Sequence, residues 1–391
     1  MTERMEKPRE STAAGAEAPR VMAAMSGGVD SSVMALLLKE QGYGVVGATM
    51  VLREPTGHAE GGCGSSREVE DARSVCRRLG IPHRTYDLAD RFEEAVVEPF
   101  CRAWCAGLTP NPCVVCNRRL KFEALQQARR AEGFGFVATG HYARRAFDER
   151  SGRWQLLRAR DESKDQSYFL YHLTQDTLAH MLFTLGELTK PEVRAIARER
   201  GFVTADKPES QDICFVPDGD YVGFIERRLG NGCGGDEACA ESEGAPLASA
   251  FEPGDIVNRA GEVLGRHWGL IHYTAGQRKG IGVAAREPLY VIGKDPKRNQ
   301  LVVGFADEAR CAGVVARDVN LIGGEFWEGP RPVQVKTHYR QQPVEAVAER
   351  TGEDELTITF AEPQRVAAPG QAAVLYDGDE ILGGGTIAGV L

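Results

Sequence analysis

Short apolar runs alternate with amphipathic stretches along the first part of the chain. The runs that predict strands are Val21–Met25, Val45–Val51, His83–Leu88 and Phe134–Thr139. The stretches with apolar residues on one face predict helices over Val33–Lys39, Glu68–Leu79, Asp90–Trp104 and Lys121–Ala131. Strands that alternate with helices in this way are typical of a parallel sheet. We therefore predict an α/β fold with a doubly wound parallel sheet.

Beyond Gly140 the pattern changes to β-rich segments. Tyr142–Phe147 and Arg153–Leu157 predict a hairpin, and Lys190–Arg200 predicts one more helix. From Asp255 onward the predicted strands are short and closely spaced, and they include Leu289–Gly293, Gln300–Val303, Val333–Tyr339, Leu356–Phe360 and Ala373–Tyr376. Strands of this kind predict a small C-terminal β-barrel.

These patterns predict a tail over 1–20, an α/β domain over 21–215, a small central domain over 216–295 and a barrel over 296–391. The tail mixes charged and small residues without the apolar stretch of a secretory signal, so we expect it to be disordered. Residues 230–250 contain Gly, Ala, Ser and acidic residues with almost no large apolar side chains. They predict a flexible insertion, and its deletion should leave activity largely intact.

Charge and cysteine content limit the classes of function that the protein could have. The 391 residues include 56 acidic and 47 basic side chains, a net charge of -9, so nucleic acid would have to be bound through local basic patches. The apolar runs are far shorter than the roughly 20 residues of a membrane helix. Ten cysteines without an export signal favour a reducing cytosol, where thiols act as nucleophiles or metal ligands. We expect a cytoplasmic protein without membrane contact.

The segment Ser26-Gly27-Gly28-Val29-Asp30-Ser31 follows the first predicted strand and opens the first helix. Small residues at such a turn let backbone N–H groups and the helix dipole face an anion, so the segment predicts a phosphate site. The hydroxyls of Ser26, Ser31 and Ser32 can donate to phosphate, and Asp30 can help to hold Mg²⁺. The lysine of an ordinary triphosphate P-loop is missing. A tight turn with a capped helix would explain the loop without any ligand.

This string resembles the S-G-G-x-D-S motif of the PP-loop ATP pyrophosphatases, which cleave ATP to AMP and pyrophosphate. The resemblance implies that ATP binds at the glycine loop and that an oxygen of the substrate is adenylated, which turns it into a good leaving group. The motif does not identify the nucleophile.

Cysteines offer three alternatives for the second half of the reaction. Cys113 and Cys116 lie on a Pro-stiffened loop that leads into a helix, where the helix N-terminus and nearby cations would lower a thiol pKa. In the first alternative, Cys116 and Cys214 are a pair in which one thiol carries a persulfide and the other resolves it. In the second, Cys113, Cys116 and Cys214 hold a [4Fe–4S] cluster. In the third, Cys101, Cys105, Cys113 and Cys116 bind structural zinc.

Six segments in order make nearly the whole chain similar to the bacterial tRNA-specific 2-thiouridylases. They are A-M-S-G-G-V-D-S at 24–31, T-P-N-P-x-x-x-C-N at 109–117, A-T-G-H-Y at 138–142, S-K-D-Q-S-Y-F-L at 163–170, I-C-F at 213–215 and T-x-G-Q-R-x-G-I-G at 274–282.

The resemblance implies a role for each matching residue. The nucleotide would be bound by Ala24, Met25, Ser26, Gly27, Gly28, Val29, Asp30, Ser31, Met50 and Gly140. Cys116 would be the nucleophile and Cys214 the persulfide cysteine. Asn111, Pro112 and Cys113 would contact the target base, and other tRNA contacts would come from the central and C-terminal domains and from His141, Lys164, Asp165, Gln166, His338, Tyr339 and Gln371. Some members have Asp at the position of Cys113, and others have Arg at that of His338.

The implied activity is the ATP- and Mg²⁺-dependent thiolation of uridine at the tRNA wobble position, position 34, to 2-thiouridine. The uridine would be flipped from its stack, its C2 oxygen adenylated, and AMP displaced by persulfide or sulfide sulfur. The partners would be tRNA and a sulfur-donor protein of a persulfide relay. One rival is a PP-loop ligase with a nitrogen nucleophile, which needs neither Cys116 nor Cys214. Another is a non-catalytic metal-binding RNA module, which would tolerate Asp30→Ala.

Overall fold

The structure is a computed structural model that describes residues 18–53, 65–207, 213–230, 250–324 and 327–391. The predicted disordered tail lies outside the described residues up to residue 17, and so does the predicted insertion over 231–249. Within the described ranges, no helix has the length and apolar character needed to cross a membrane.

Helices and strands alternate as far as β4, and strands dominate after α9. The α-helices are α1 (Val29–Glu40), α2 (Ser66–Leu79), α3 (Ala89–Phe92), α4 (Glu98–Cys105), α5 (Pro112–Cys116), α6 (Leu125–Ala131), α7 (Gln175–Ala179), α8 (Lys190–Glu199) and α9 (Tyr221–Gly230). The strands are β1 (Arg20–Ala24), β2 (Gly44–Val51), β3 (His83–Asp87), β4 (Phe136–Ala138), β5 (Arg144–Asp148), β6 (Arg153–Leu157), β7 (Met181–Leu182), β8 (Gly254–Val257), β9 (Val263–His267), β10 (Tyr290–Asp295), β11 (Gln300–Gly304), β12 (Arg310–Leu321), β13 (Arg331–Lys336), β14 (Val344–Gly352), β15 (Glu355–Arg365), β16 (Ala372–Asp377) and β17 (Glu380–Val390). Shorter helical segments are π-helical at Glu93–Val97 and Asn117–Ala124 and 3₁₀ at Ser167–Leu170 and Leu270–His272.

The first of two compact units comprises the described residues up to Phe92 and those of Cys116–Pro217. Five of its strands form a sheet in the order β3-β2-β1-β4-β7, and each neighbouring pair is parallel. The central strand β1 is apolar because it lies inside the sheet, and Val21, Met22 and Ala23 are fully buried. The predicted α/β fold with a parallel sheet is confirmed. β5 and β6 form the predicted antiparallel hairpin.

The second unit comprises Glu93–Val115 and Asp218–Leu391. Four strands in the order β10-β11-β8-β9 enclose a small apolar core. The six strands β12-β15-β14-β13-β16-β17 form a barrel that closes because β12 also pairs with β17. The predicted C-terminal barrel is confirmed. Strands β12, β14 and β17 were not among the segments predicted by name, and in β17 the run Gly383–Gly385 interrupts the apolar pattern.

Helix α4 explains why Glu93–Val115 groups with the later residues rather than with the sheet. The ring of Trp104 stacks on that of Tyr221, with centroids 4.4 Å apart, and the Lys294 ammonium lies 5.0 Å from the Trp104 ring centre. Arg228 forms an ion pair with Glu93. These contacts are too distant in sequence to be predicted, and the domain boundaries proposed above stay predictions.

Candidate active site

The glycine loop lies at the carboxyl edge of the parallel sheet, between the central strand β1 and α1. Ser26 donates from its backbone N and its Oγ to Ser31 Oγ, over 3.2 and 3.3 Å. Ser31 and Ser32 each donate from Oγ to the Gly28 carbonyl, over 3.0 and 2.9 Å. Gly28 is the N-cap and has no side chain to cap α1, so an external acceptor such as phosphate is suited to the first-turn amides.

Two glycines shape this loop by the absence of a Cβ atom. Gly27 has a φ of +68°, and a Cβ there would lie 2.5 Å from the carbonyl oxygen of Glu68. A Cβ at Gly140, which follows β4, would lie 3.0 Å from the Ser31 amide nitrogen. Met50 is near the end of β2 at the same edge. The structure thus brings the residues predicted to bind ATP together at one edge of the sheet, where open α/β folds bind ligands.

Three residues that the sequence analysis did not select also reach the loop. The Lys190 ammonium lies 2.7 Å from both carboxylate oxygens of Asp30, and the Tyr142 hydroxyl donates to Asp30 Oδ1 over 2.8 Å. Lys207 donates to the Gly27 carbonyl over 3.0 Å and to Asp71 Oδ2 over 2.9 Å. Lys190 looks like an ordinary helix start in the sequence because Thr189 and Glu192 form a capping box. The glycine loop therefore has two cations beside it, Lys190 and Lys207, and both come from segments that are distant in sequence.

The cysteines occupy different environments. Cys113 is exposed, Cys116 is buried at the end of α5, and Cys214 is half-buried. Helix α5 begins at Pro112 and continues into the π-helical Asn117–Ala124, so Cys113 lies in the first turn and Cys116 just after it. The Cys214 carbonyl accepts from Arg53 Nη2 over 3.1 Å.

No group of three or more His, Cys, Asp or Glu side chains in the described part of the chain is arranged to hold a metal ion. The alternatives in which Cys113, Cys116 and Cys214 hold a cluster, or Cys101, Cys105, Cys113 and Cys116 bind zinc, stay predictions. Cys63, Cys233 and Cys239 lie outside the described residues.

The segment predicted to contact tRNA around Lys164 is tied to the glycine loop through Tyr142. Gln166 Oε1 accepts from the Tyr142 amide over 3.0 Å, and the Gln166 amide donates to the Tyr142 carbonyl over 2.9 Å. Lys164 is half-buried. The Asp165 carboxylate is buried and accepts from the backbone of Ala159 and from the amide and hydroxyl of Ser167. Its side chain shapes this turn rather than facing solvent, and the polar string alone did not show that.

Two buried histidines flank the ring of Phe122. The ring centroids of His141 and His172 lie 5.9 and 5.7 Å from that of Phe122. Burial, with smaller contributions from Lys121 and His172, lowers the pKa of His141 well below its usual value. Burial, followed by the charge of Arg118, lowers the pKa of His172 to about 3. Both shifts favour the neutral imidazole, so His141 would bind tRNA as a hydrogen-bonding group rather than as a cation.

In the second unit, the loop before Cys113 is held by the far end of the chain. The Thr109 amide donates to the Pro369 carbonyl over 2.8 Å, and the Thr109 carbonyl accepts from Gln371 Nε2 over 2.9 Å. A Cβ at Gly370 would lie 3.0 Å from Thr109 backbone atoms. Gln371, implied to contact tRNA, therefore also holds the loop that carries Asn111, Pro112 and Cys113.

The remaining implied tRNA contacts lie beyond β13. His338 is exposed and Tyr339 is half-buried, with the Lys336 ammonium 5.6 Å from the Tyr339 ring centre. Desolvation of the ring by the surrounding protein, followed by the positive charges of Lys336 and Arg365, lowers the pKa of His338. A neutral His338 would make a weaker phosphate contact than an arginine.

Family models match three successive parts of the chain. They are described as a tRNA methyl transferase HUP domain over residues 19–218, a tRNA methyl transferase PRC-barrel domain over 247–305 and an aminomethyltransferase beta-barrel domain over 312–387.

Solved structures show only remote similarity. A 4-thiouridine synthetase in complex with RNA and ATP matches 55% of this chain and 51% of its own, at 16% identity and a TM-score of 0.35. The NMN synthetase of Francisella tularensis matches 54% of this chain and 77% of its own, at 16% identity and a TM-score of 0.31. These values support no inference about function.

Similarity to proteins of known name is much stronger. The tRNA-specific 2-thiouridylase of Carboxydothermus hydrogenoformans is 45% identical over 372 residues, which cover 94% of this chain and 97% of the relative. That of Symbiobacterium thermophilum is 46% identical over 378 residues, 95% of this chain and 92% of the relative. With this identity maintained along almost the whole length of both chains, the protein belongs to the family of tRNA-specific 2-thiouridylases.

Proposed function

We propose that the protein uses ATP to replace oxygen by sulfur at C2 of a tRNA uridine, and that the target is the wobble uridine at position 34. The observation that carries this proposal is the glycine loop at the carboxyl edge of the sheet, where the start of α1 has no side-chain cap and Gly27 and Gly140 allow close packing of the chain. Membership of the 2-thiouridylase family supplies the substrate class. We further propose that the reaction takes place in the cytoplasm.

The proposed reaction has two steps. In the first, the C2 oxygen of uridine attacks the α-phosphorus of ATP and pyrophosphate leaves. The loop amides would bind the phosphates, and Asp30 would help to hold Mg²⁺. Met50 and Gly140 would contact the nucleotide. In the second, sulfur attacks C2 and AMP leaves with the original oxygen. Adenylation is needed because an oxygen without it is a poor leaving group.

The source of the sulfur remains a choice between two routes. A donor protein would load Cys214 as a persulfide, whose terminal sulfur attacks C2. Cys116 would then attack the inner sulfur, leaving the outer sulfur on the base and a disulfide that a reductant must reopen. Alternatively, Cys113, Cys116 and Cys214 would hold a [4Fe–4S] cluster that presents sulfide. Both routes use Cys116 and Cys214, and only the second needs Cys113.

Tight recognition of tRNA would come from three segments. Asn111, Pro112 and Cys113 would contact the target base, His141 with Lys164, Asp165 and Gln166 would contact the tRNA beside it, and His338, Tyr339 and Gln371 would bind from the barrel. The buried Asp165 carboxylate limits that residue to a backbone contact or to a supporting role.

The family models carry the words methyl transferase, but methyl transfer explains the site less well. A methyl donor brings its own leaving group, so methylation requires neither a phosphate cradle nor cysteines. A PP-loop ligase with a nitrogen nucleophile would use the cradle but not Cys116 or Cys214.

The test incubates anaerobically purified protein with unthiolated tRNA, Mg·ATP and sulfide, digests the tRNA and weighs its nucleosides. A uridine that gains sulfur in place of one oxygen, at position 34 and with equimolar AMP, is the expected result. AMP release without sulfur gain, even with a persulfide donor protein added, would favour the nitrogen ligase. Sulfur gain on another nucleoside would contradict the assigned target.

A further inference from the structure

Asp30 and Lys190 form a close ion pair at the start of α1. Each Asp30 carboxylate oxygen is 2.7 Å from the Lys190 ammonium. The Lys190 side chain is 8% exposed and that of Asp30 is 32% exposed. Tyr142 supports the pair from one side, because its hydroxyl donates to Asp30 Oδ1 and its ring centre lies 5.6 Å from the ammonium. The carboxylate that we expect to help hold Mg²⁺ therefore holds a nearly buried cation instead.

This pair brings to the glycine loop a lysine that the loop sequence itself lacks. An ordinary P-loop supplies its own lysine to the phosphates, but here the first turn of α1 supplies the acidic Asp30. A triphosphate placed at the loop amides would be repelled by that carboxylate unless cations intervened. Mg²⁺ supplies one such cation, and a lysine beside the loop can supply the second.

Lys190 suits this role better than Lys207, the other lysine at the loop. Lys207 already binds the Gly27 carbonyl and Asp71 Oδ2, and Glu68 Oε1 lies 3.9 Å away, so its charge is balanced by carboxylates outside the loop. The carboxylate partner of Lys190 is Asp30, which is itself expected to bind the metal. Entry of Mg²⁺ at Asp30 would thus release the Lys190 ammonium beside the incoming phosphates.

We propose that Lys190 is a phosphate ligand that reaches ATP by exchanging partners, leaving Asp30 to Mg²⁺ as nucleotide binds. The inference rests on the proposed function, since it names a further residue for the same ATP. Each charge keeps an opposite partner before and after the exchange, so neither is left buried alone. The Lys190 backbone stays fixed, because its amide donates to Asp161 Oδ2 over 2.9 Å and the capping box sets the start of α8.

The exchange makes predictions that need no tRNA and no turnover. We would titrate the full chain with pyrophosphate by calorimetry, in Mg²⁺ and in chelator, and with Mn²⁺ alone by electron paramagnetic resonance. Lys190→Gln should weaken binding of magnesium pyrophosphate by about 10-fold to 100-fold, the range for a hydrogen bond to a charged group. The same variant should bind Mn²⁺ more tightly without nucleotide, because Asp30 has lost its competing cation.

Removing the other half of the pair should have the complementary effect. Asp30→Asn should tighten pyrophosphate binding in chelator, since the ammonium of Lys190 is released and the repelling carboxylate is gone. Lys39→Gln is the matched control, because Lys39 lies near the opposite end of α1 and donates to the Leu79 carbonyl. It should change neither affinity.

Either of two results with Lys190→Gln would overturn the exchange. In one, Lys190→Gln binds magnesium pyrophosphate as tightly as the unaltered chain. In the other, it loses pyrophosphate and Mn²⁺ affinity together with a lower melting temperature, as expected if the pair only maintains the fold. If Lys190→Gln does not fold, the test rests on Asp30→Asn. The exchange would then be overturned if this variant bound metal-free pyrophosphate no more tightly than the unaltered chain. An unaltered chain that binds no pyrophosphate would refute both the phosphate site and the exchange, whereas normal binding without thiolation would refute only the proposed function.

Discussion

The glycine loop and the loop before Cys113 are held in contrasting ways. Around the glycine loop, the contacts from distant segments are made by side chains: Lys190 and Tyr142 bind Asp30, and Lys207 binds the Gly27 carbonyl. Ionic partners of this kind can be exchanged when a charged ligand arrives. We infer that the glycine loop is built to change its contacts on binding ATP.

The loop before Cys113 is held mainly through its backbone. Thr109 is bonded at its amide to Pro369 and at its carbonyl to Gln371, and Gly370 packs against it without a Cβ. A bond between two backbone groups cannot be exchanged for a ligand without moving the chain itself. This loop therefore serves as a fixed support for α5, the helix that carries Cys113 and Cys116. The glycine loop is held by charged groups that can exchange partners, whereas the loop before Cys113 is held in one geometry.

Loss of the nucleophile should have the largest effect and should leave the glycine loop untouched. Cys116→Ser replaces a thiol by a far weaker nucleophile for exchange with a persulfide, so thiolation should fall by about three orders of magnitude or more. ATP affinity, measured by calorimetry, should not change because Cys116 is not part of the phosphate cradle. A fully active serine variant would contradict the assignment of the nucleophile.

The exposed neighbour on α5 distinguishes the two sulfur routes. Cys113→Ser should remain able to form the Cys116 and Cys214 persulfide pair, but it would remove one of three cluster ligands. Iron content and thiolation lost together in this variant would establish the cluster route.

The next largest effect should come from crowding the glycine loop. Gly27→Ala places a Cβ at 2.5 Å from the Glu68 carbonyl at a φ of +68°, so the loop must shift. We expect ATP affinity to fall and thiolation to drop about 100-fold, the usual effect of a misplacement near 1 Å. Gly42→Ala is the control, since its φ is +87° but nothing lies within 4 Å of the new Cβ. It should lower the free energy of unfolding by about 1 kcal/mol and leave ATP affinity unchanged; equal losses of ATP affinity in both variants would refute the steric argument.

Crowding the loop before Cys113 should have a smaller effect on thiolation and should leave ATP affinity unchanged. Gly370→Ala brings a Cβ to 3.0 Å from Thr109 backbone atoms, at a φ of +94°. Thiolation should fall about 10-fold through displacement of α5, with ATP affinity unchanged. Gly378→Ala, at a φ of +58° with open space around its Cβ, controls for backbone strain alone. If Gly370→Ala weakened ATP binding, the two loops would not be independent.

How far the sequence could predict these regions depends on the distance between partners. The glycine loop and its sheet were predictable because the motif and the strand periodicity are local. The Asp30 and Lys190 pair was not, since 160 positions separate the two residues and Lys190 also begins a normal helix. The contact of Thr109 with Gln371 spans 262 positions.

Local patterns also misled in two places. Asp165 stands in a polar string that suggests an exposed contact, yet its carboxylate accepts hydrogen bonds inside a turn. Cys116 follows two prolines that suggest a loop, but Pro112 is well suited to the first position of a helix and α5 begins there. In both cases a short polar or proline-rich sequence is compatible with two local structures, and only the packing of distant residues decides between them.

The smallest expected effect tests whether Gln371 supports the loop, binds tRNA or does both. Gln371→Ala removes one neutral hydrogen bond to the Thr109 carbonyl, worth about 0.5–1.5 kcal/mol. If the side chain supports the loop, the rate at which iodoacetamide alkylates Cys116 should change about 2-fold to 10-fold in the absence of tRNA. A weaker tRNA affinity with an unchanged alkylation rate would instead make Gln371 a pure tRNA contact. Alkylation should be followed by the fragment masses of the peptide that carries both thiols, because Cys113 is exposed on the same helix and would otherwise dominate the signal. A changed alkylation rate combined with weaker tRNA binding would mean that one side chain couples the docking of tRNA to the position of the nucleophile.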